Sequence, residues 1–434
     1  MAGLSVTRLL IAAAVYKGWI VHQADIQTAY LNGDVHEEIF MTQPTGFVTS
    51  GSEDKVCRLK RSLYGLKQSG RCWNEKMNKK FLEAGLLRSK VDPCVYYRQL
   101  DEEKGIVSVF VDDDTLIAET EEGMVELKQL IGSKFKYHDL GPLHHLLGVR
   151  ITHEEDGSLF LDQETYVHKV LEKFGMTSCY TVGMPLEPGL KLSKDQCPTS
   201  DEERARAAKL PFRELVGSLM YLAHSTRPDI CYSVAKLGQF ANDPGWTHWS
   251  AAKRVLRYLK GTSSYKLHVR GEDIPLTAFV DSDWAGDADD RKSHLGYVLL
   301  LGGSPVVWKS AKQTCVATST MEAEYVALAS CVKEVLWVRQ LFAELRLEEL
   351  LGGPTIVHCD NQAAIVCAQD PVPRAKSRHI DVRYHMIRNA VEEGHIRLEY
   401  VQTKLNLADI LTKALPKPRH IELTTALRLQ SYQC

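Results

Sequence analysis

Hydrophobic positions change period repeatedly along the chain, and each change marks a different kind of element. The run Leu9-Leu10-Ile11-Ala12-Ala13-Ala14-Val15 predicts a buried helix over 6–16. A strand ending at Asp25 follows, then a basic helical segment around 62–85. Ile106-Val107-Ser108-Val109-Phe110-Val111 is rich in β-branched residues and predicts a buried strand. A helix over 121–135 and a strand pair turning at Asp156-Gly157 complete this stretch. Next comes an irregular stretch from Met184-Pro185 to Thr199-Ser200, then helices over 212–223, 230–241 and 249–260, stopped by Gly261-Thr262.

Beyond 271 the period of two returns. Strands are expected near 276–280, 296–301 and 305–308, a long helix from Thr320, a strand over 355–359, and helices flanking a strand over 396–401. The pattern divides the chain into 1–175, 176–270, 271–415 and a tail, 416–434, which Pro416 and Pro418 mark as peripheral.

The chain has 434 residues, 44% hydrophobic and 25% charged, a globular composition with room for several cores. A formal net charge of −2 excludes a partner gripped by global positive charge, so any polyanion must be met by local patches. The 11 cysteines form no C-x-x-C pair and meet no histidine at zinc-ligand spacing. They read as reduced thiols of the cytoplasm or nucleus, not of a secreted protein. No apolar run is long enough to span a bilayer. Tyr16-Lys17-Gly18-Trp19 stands where a signal peptide would need small residues, which favours the helix.

Acids at strand ends carry the candidate chemistry. Asp281 follows the strand Leu276-Thr277-Ala278-Phe279-Val280, and Asp360 follows Ile356-Val357-His358-Cys359. Glu324 lies on the helix opened by Ser319-Thr320, and Asp409 sits in Leu407-Ala408-Asp409-Ile410-Leu411. Two Mg²⁺ ions need several carboxylates as hard oxygen ligands, and together they can activate water against a phosphodiester. Any one of these acids alone reads better as a helix cap or a solvated turn residue. Glu322, two residues from Glu324, falls on another face of the helix.

Their order resembles the ribonuclease H domain of copia-type retrotransposon polyproteins. The matching strings are Phe279-Val280-Asp281-Ser282-Asp283-Trp284-Ala285-Gly286-Asp287 with Arg291-Lys292-Ser293, and Ser319-Thr320-Met321-Glu322-Ala323-Glu324-Tyr325. Cys359-Asp360-Asn361-Gln362-Ala363-Ala364-Ile365, Lys376-Ser377-Arg378-His379-Ile380-Asp381 and Leu407-Ala408-Asp409-Ile410-Leu411-Thr412-Lys413 follow in order. The resemblance implies that Asp281, Glu324, Asp360 and Asp409 bind Mg²⁺, with Mn²⁺ as a substitute, to hydrolyse RNA in RNA–DNA hybrids. The helix-start His of some cellular ribonucleases H has no counterpart between Thr403 and Asp409, where Lys404 is the nearest polar residue.

The first region resembles the reverse transcriptase palm of the same family. Gln23-Ala24-Asp25-Ile26-Gln27-Thr28-Ala29-Tyr30-Leu31-Asn32-Gly33, Ser62-Leu63-Tyr64-Gly65-Leu66-Lys67-Gln68-Ser69 and Phe110-Val111-Asp112-Asp113 carry it. Arg227-Pro228-Asp229 continues it into the tether before the ribonuclease. The implied roles are metal binding for Asp25, Asp112 and Asp113, crowding of a ribose 2′-hydroxyl by Tyr30, and a floor beneath the nascent base pair at Gly65. Departures are Phe110 for the usual Tyr, Gly70 for the usual Pro, and a third acid, Asp114. The match begins shortly before Asp25, so a fingers segment with its triphosphate-gripping cations is expected to be missing and polymerase activity weak.

The resulting expectation is a multidomain α/β and α+β chain: a palm, a helical thumb or connection, and a mixed ribonuclease H-like sheet with flanking helices. Its partners would be RNA–DNA hybrid and template-primer, with no membrane, in the cytoplasm (in a virus-like particle) or the nucleus. A non-catalytic nucleic-acid-binding remnant is the competing reading, and a metal-dependent nuclease of other substrates a third. Lys55, Arg58, Lys60, Arg61, Lys67, Arg71, Lys76, Lys79 and Lys80 form one basic stretch that could follow a phosphate backbone. Arg374, Lys376, Arg378 and Arg383 form a smaller one. Trp246, Trp249 and Trp284 read as packing aromatics, and His379 and His385 as helix-face residues.

Overall fold

A computed structural model describes residues 3–99, 104–369 and 378–432. Contacts divide the chain into two compact units, one of residues 18–143 with 1–3 and one of 4–17 with 144–434. Helix α1 (Leu4–Lys17) is therefore part of the second unit, although its sequence neighbours belong to the first.

The first unit is built on a six-stranded antiparallel sheet. Its strands are β1 (Ile20–Ile26), β4 (Leu87–Arg88), β5 (Val95–Gln99), β6 (Lys104–Phe110), β7 (Asp113–Ala118) and β8 (Tyr137–Pro142), in the order β4-β5-β6-β7-β1-β8. A separate ribbon pairs β2 (Phe40–Thr42) with β3 (Val56–Arg58). Helices α2 (Ala29–Asn32), α3 (Ser69–Glu83) and α4 (Glu121–Gly132) complete the unit. Trp73, Met77 and Phe81 of α3, four residues apart, and Met124, Leu127 and Ile131 of α4 pack with Ala24, Val107, Val109 and Leu116 of the sheet. Helix α3 starts at Ser69, later than the sequence pattern suggested, because Gly65 has φ +98° and breaks the turn before it.

The second unit contains two sheets. Strands β9 (His145–Leu146), β10 (Val149–His153), β11 (Leu159–Asp162), β12 (Tyr265–Val269) and β18 (Leu429–Ser431) form an antiparallel sheet in the order β18-β12-β11-β10-β9. Strands β13 (Thr277–Ser282), β14 (His294–Leu301), β15 (Ser304–Lys312), β16 (Thr355–Cys359) and β17 (Ile396–Tyr400) form a mixed sheet in the order β15-β14-β13-β16-β17. There β13, β16 and β17 run parallel to one another, and β14 alone runs the other way, antiparallel to both its neighbours, β13 and β15. Helices α5 (Glu164–Lys173), α6 (Asp201–Ala207), α7 (Phe212–Ser225), α8 (Cys231–Gly238) and α9 (Trp246–Gly261) precede the mixed sheet. Helix α10 (Thr320–Glu344) packs on it, with α11 (Gln362–Gln369), α12 (Arg378–Glu392) and α13 (Lys417–Ala426) following. This is the mixed α/β architecture the sequence pattern implied.

Besides the placement of α1, the expected borders need two corrections. Residues 144–175 join the second unit, because β10 and β11 pair with each other and β11 continues the sheet into β12. The tail is not peripheral: Leu423, Leu427 and Leu429 are fully buried, and β18 pairs with β12. Helix α1 lies against β15, where Arg8 donates from Nε to Val306 O (3.0 Å) and from Nη1 to His224 O (2.6 Å) and Ser225 O (2.9 Å). Its guanidinium also stacks 3.8 Å from the Trp308 ring. No carboxylate neutralises it in these contacts, and burial lowers its pKa to about 9.

His294, 1% exposed on β14, is held neutral by burial, with Lys236 adding to the effect, and its pKa falls to about 3. The unfolded ring titrates near 6.5, so between those values the unfolded state holds more protons and stability falls as pH falls. Burial of Asp281 and Glu324 raises their pKa values and acts in the opposite sense. The difference between proteins is therefore the readout. Melting temperature measured at pH 7 and pH 5 is expected to drop less in His294→Gln than in the wild type; equal drops would refute the assignment.

Candidate functional site

Asp281 is the centre of the mixed sheet's acid cluster. It lies on β13, 1% exposed, opposite Gly296 of β14. A Cβ on Gly296 would come within 2.6 Å of Leu411 Cβ, so only glycine lets the turn Leu407–Leu411 approach the strand. Asn406 fastens that turn: its Nδ2 donates to Val280 O (2.9 Å), and its Oδ1 accepts from Ala408 N (3.1 Å). Asp409, 5% exposed, is thereby carried to the end of β13. Sequence reasoning overlooked Asn406, although an Asn ahead of Leu-Ala-Asp is a helix-start residue.

Glu324 comes from α10 and Asp360 from the end of β16. Carboxylate oxygens of both lie with Cys359 Sγ within 4.8 Å of one another. Burial pushes Glu324 well above its ordinary pKa, with the charges of Asp281 and Asp360 adding to it. Its Oε2 is buried and has no hydrogen-bond partner. Asp281 is pushed up to about 6, by burial first; Lys413 opposes the shift and Asp409 reinforces it. Lys413 Nζ lies 2.7 Å from Asp409 Oδ1 and 3.4 Å from Asp281 Oδ2, and Thr412 donates its hydroxyl to Asp281. Asp281, Glu324, Asp360 and Asp409 are thus linked electrostatically around one place. Glu322 is engaged elsewhere, accepting at Oε2 from Thr318 N (2.7 Å) and from the Thr318 hydroxyl.

An oxygen-rich, buried donor set with an orphaned carboxylate oxygen fits a hard divalent cation. Cys359, whose thiol burial pushes up, is the one soft neighbour in the group.

The first unit presents a second acidic group. Asp25 on β1 pairs with Asp113 on β7, and Asp112 occupies the β6–β7 turn. Val111 precedes it at φ +62°, a strained conformation for a β-branched residue that costs on the order of 1–3 kcal/mol. Two bonds hold the turn: Trp73 Nε1 donates to Val111 O (2.8 Å) and Ile26 N donates to Asp112 O (2.8 Å). The Tyr64 hydroxyl donates to Asp112 Oδ2 (2.8 Å) and its ring stands 4.8 Å from that of Tyr30. Gln23 Nε2 donates to Asp113 Oδ1 (3.2 Å), while burial raises the Asp113 pKa, with Asp25 and Asp112 adding to it. Trp73, Tyr64 and Gln23 were not singled out as supports from sequence. Asp114 is fully buried with neither carboxylate oxygen paired. It shares the parity of Leu116 and Ala118 and faces the core rather than Asp113's side. Gly65 leaves open space at its Cβ position.

Other expectations resolve differently. Within the basic stretch, Arg58, Arg71, Lys76 and Lys80 pair with Glu38, Glu37, Asp34 and Glu83 at 2.7–3.0 Å. No ion pair among the described residues takes Lys55, Lys60, Lys67 or Lys79. Arg374, Lys376 and the side chains of Arg378 and His379 lie outside the described residues, and Arg383 donates to Cys315 Sγ at 3.6 Å. Trp249 packs, but Trp246 and Trp284 are 67% and 52% exposed, so the reading of all three as packing aromatics is corrected. Lys253 Nζ lies 5.5 Å from the centre of the Trp246 ring, and Trp284 Nε1 donates to Ala317 O (3.3 Å). Among the described residues no helix is long and apolar enough to cross a membrane.

A family model described as reverse transcriptase (RNA-dependent DNA polymerase) matches residues 1–188. The retrovirus-related Pol polyprotein from transposon TNT 1-94 of Nicotiana tabacum is 40% identical over 94% of this chain, which spans 31% of that protein. A transposon Ty5-1 protein of Saccharomyces cerevisiae is 31% identical over 72% of this chain and 100% of its own length. Among solved structures, a foamy viral protease–reverse transcriptase with double-stranded DNA aligns at TM-score 0.42 and 15% identity, covering 88% of this chain and 68% of that one. A likeness that remote adds nothing to the assignment. The sequence relatives, met by the aspartate hairpin and the acid-bearing mixed sheet, show that the chain belongs to the copia-type retrotransposon Pol family of reverse transcriptase proteins.

Proposed function

We propose that the second unit hydrolyses the RNA strand of RNA–DNA hybrids with Mg²⁺ held by Asp281, Glu324, Asp360 and Asp409. The observation that carries this reading is the buried, unpartnered Glu324 Oε2 facing the Asp281 and Asp360 charges. A pair of divalent cations there would supply an activated water and charge compensation at the leaving oxygen. The chain's own contribution is orientation. Asp281 is fixed by Thr412, Asp409 by Lys413 and Arg419, and Glu324 Oε2 is left free to accept a hydrogen bond from the attacking water. Exposed Trp284, three residues beyond the strand-end acid Asp281, offers a face for stacking on the bound strand.

The family activity of RNA-directed DNA synthesis belongs to the first unit in this reading. Asp25, Asp112 and Asp113 would hold its cations, Tyr30 would crowd a ribose 2′-hydroxyl, and the region of Gly65 would lie beneath the base pair. Helices of 176–270 would serve as thumb and connection. The ribonuclease reading is tested with a labelled RNA–DNA hybrid, Mg²⁺ and the purified chain beside Asp360→Asn. Cleavage by the wild type that disappears in the variant is the expected result. A cooperatively melting wild type that binds the hybrid without cutting it would refute hydrolysis and leave binding as the activity.

A further inference from the structure

The two halves of the acid cluster differ in how their charge is met. Asp409 has both oxygens engaged by cations of the chain: Lys413 Nζ lies 2.7 Å from Oδ1, and Arg419 Nη2 lies 3.3 Å from Oδ2. The same ammonium lies 3.4 Å from Asp281 Oδ2. On the other side, Glu324 keeps a buried oxygen with no partner, beside Asp360. One half is neutralised internally and the other is not.

We infer that Lys413 stands in for the second divalent cation, so that the cluster takes one cation readily on the Glu324–Asp360 side and a second only when Lys413 leaves Asp281 and Asp409. The inference rests on the metal-site reading above. Lys413 and Arg419 are not equivalent here. The Lys413 side chain is 37% exposed and has solvent to rotate into. Arg419 is 19% exposed and is also tied to Glu422 at 3.1 Å, which makes it a fixture. A lysine is a compact point charge on a flexible stem, the side chain best suited to occupy a cation's place and to vacate it. While it stays, an entering divalent cation meets a positive charge within contact distance of the oxygens it needs. Lys413 is therefore a positioning residue that holds the acids together before metal arrives and sets the concentration at which the second ion binds.

Calorimetric titration with Mn²⁺ tests this on the full chain carrying Asp25→Asn, Asp112→Asn and Asp113→Asn, so that the first unit's acids do not contribute. The expected isotherm has one tighter and one weaker event. Lys413→Met should tighten the weaker event at least tenfold and lower the metal-free melting temperature, since Asp281 and Asp409 then face each other without the ammonium. Lys413→Arg should keep the two-event isotherm. Lys413→Gln, which keeps a donor on a shorter stem without charge, should show the same tightening and serves if Lys413→Met does not melt cooperatively. Two equal events in the reference protein, or an unchanged or weakened second event in both neutral variants, would overturn the role of Lys413 alone. No binding in any of these proteins, matching Asp360→Asn, would overturn the metal-site reading and this inference with it.

Discussion

Asp281→Asn is expected to lower hybrid hydrolysis by about 10²–10³, a typical loss for one preorganised charge at a reacting centre. Its metal-free melting temperature should nevertheless equal or exceed the wild type's at pH 7.5. The carboxylate is 1% exposed, and burial raises its pKa to about 6, so at pH 7.5 the fold holds a charge it disfavours. Asparagine is nearly isosteric, can still accept from the Thr412 hydroxyl, and leaves Lys413 its closer partner, Asp409. Paired measurements of cleavage rate and thermal melting decide the matter. A variant that loses activity together with several degrees of melting temperature would show that Asp281 holds the fold rather than the chemistry.

Arg227→Met should destabilise the second unit by about 3–5 kcal/mol, the usual cost of leaving one member of a buried ion pair alone. Arg227 and Asp229 side chains are 2% and 0% exposed. Nε donates to Asp229 Oδ1 (2.9 Å), Nη2 to Asp229 Oδ2 (2.8 Å) and to Thr262 Oγ1 (2.6 Å), and Nη1 to Thr262 O (3.0 Å). The Tyr258 hydroxyl donates to Asp229 Oδ2 (2.7 Å), and His420 Nε2 of α13 lies 3.1 Å from Asp229 O. Removing the guanidinium strands a carboxylate among α9, α13 and the turn after α7. At roughly 2–4 °C per kcal/mol for a unit of this size, the melting temperature should fall by about 6–20 °C. The double variant Arg227→Met, Asp229→Leu should recover most of the loss, because no uncompensated charge remains. A loss of under about 1 kcal/mol in the single variant, or no recovery in the double, would refute this account.

Elements with a strong period and a clear stop were legible from sequence. The apolar run of α1, the β-branched run of β6, the Ser319-capped start of α10 and the strand ending at Cys359 all occur as the pattern implied. The acids were legible for a related reason: a carboxylate at the end of an apolar strand is placed by the strand itself, whatever else surrounds it. Period says which residues share a face, but not which element covers that face. Helix α1 is apolar around most of its circumference, so nothing in its pattern chose between the sheet that follows it and β15, where Val306 lies 298 residues beyond Arg8. The tail was misjudged because prolines at its start outweighed Leu423, Leu427 and Leu429, which become core only once β12 offers an edge.

The same limit governs the sites. Residue type and order determined that the chain carries strand-end acids suited to divalent cations, and they determined its family. Tertiary structure alone decided that Asp114 turns into the core while Asp113 faces Asp25, since a one-residue step in a strand reverses the side chain. It alone showed that Trp73 and Ile26 hold the aspartate hairpin, and that Gly296 admits the turn bearing Asp409. It alone brought the ammonium of Lys413 between Asp281 and Asp409, residues far apart in sequence. Local sequence determines period, caps and chemical type because those depend on near neighbours. Which charge meets which, and which face is covered, depends on packing between distant segments, and that is settled only when the chain folds.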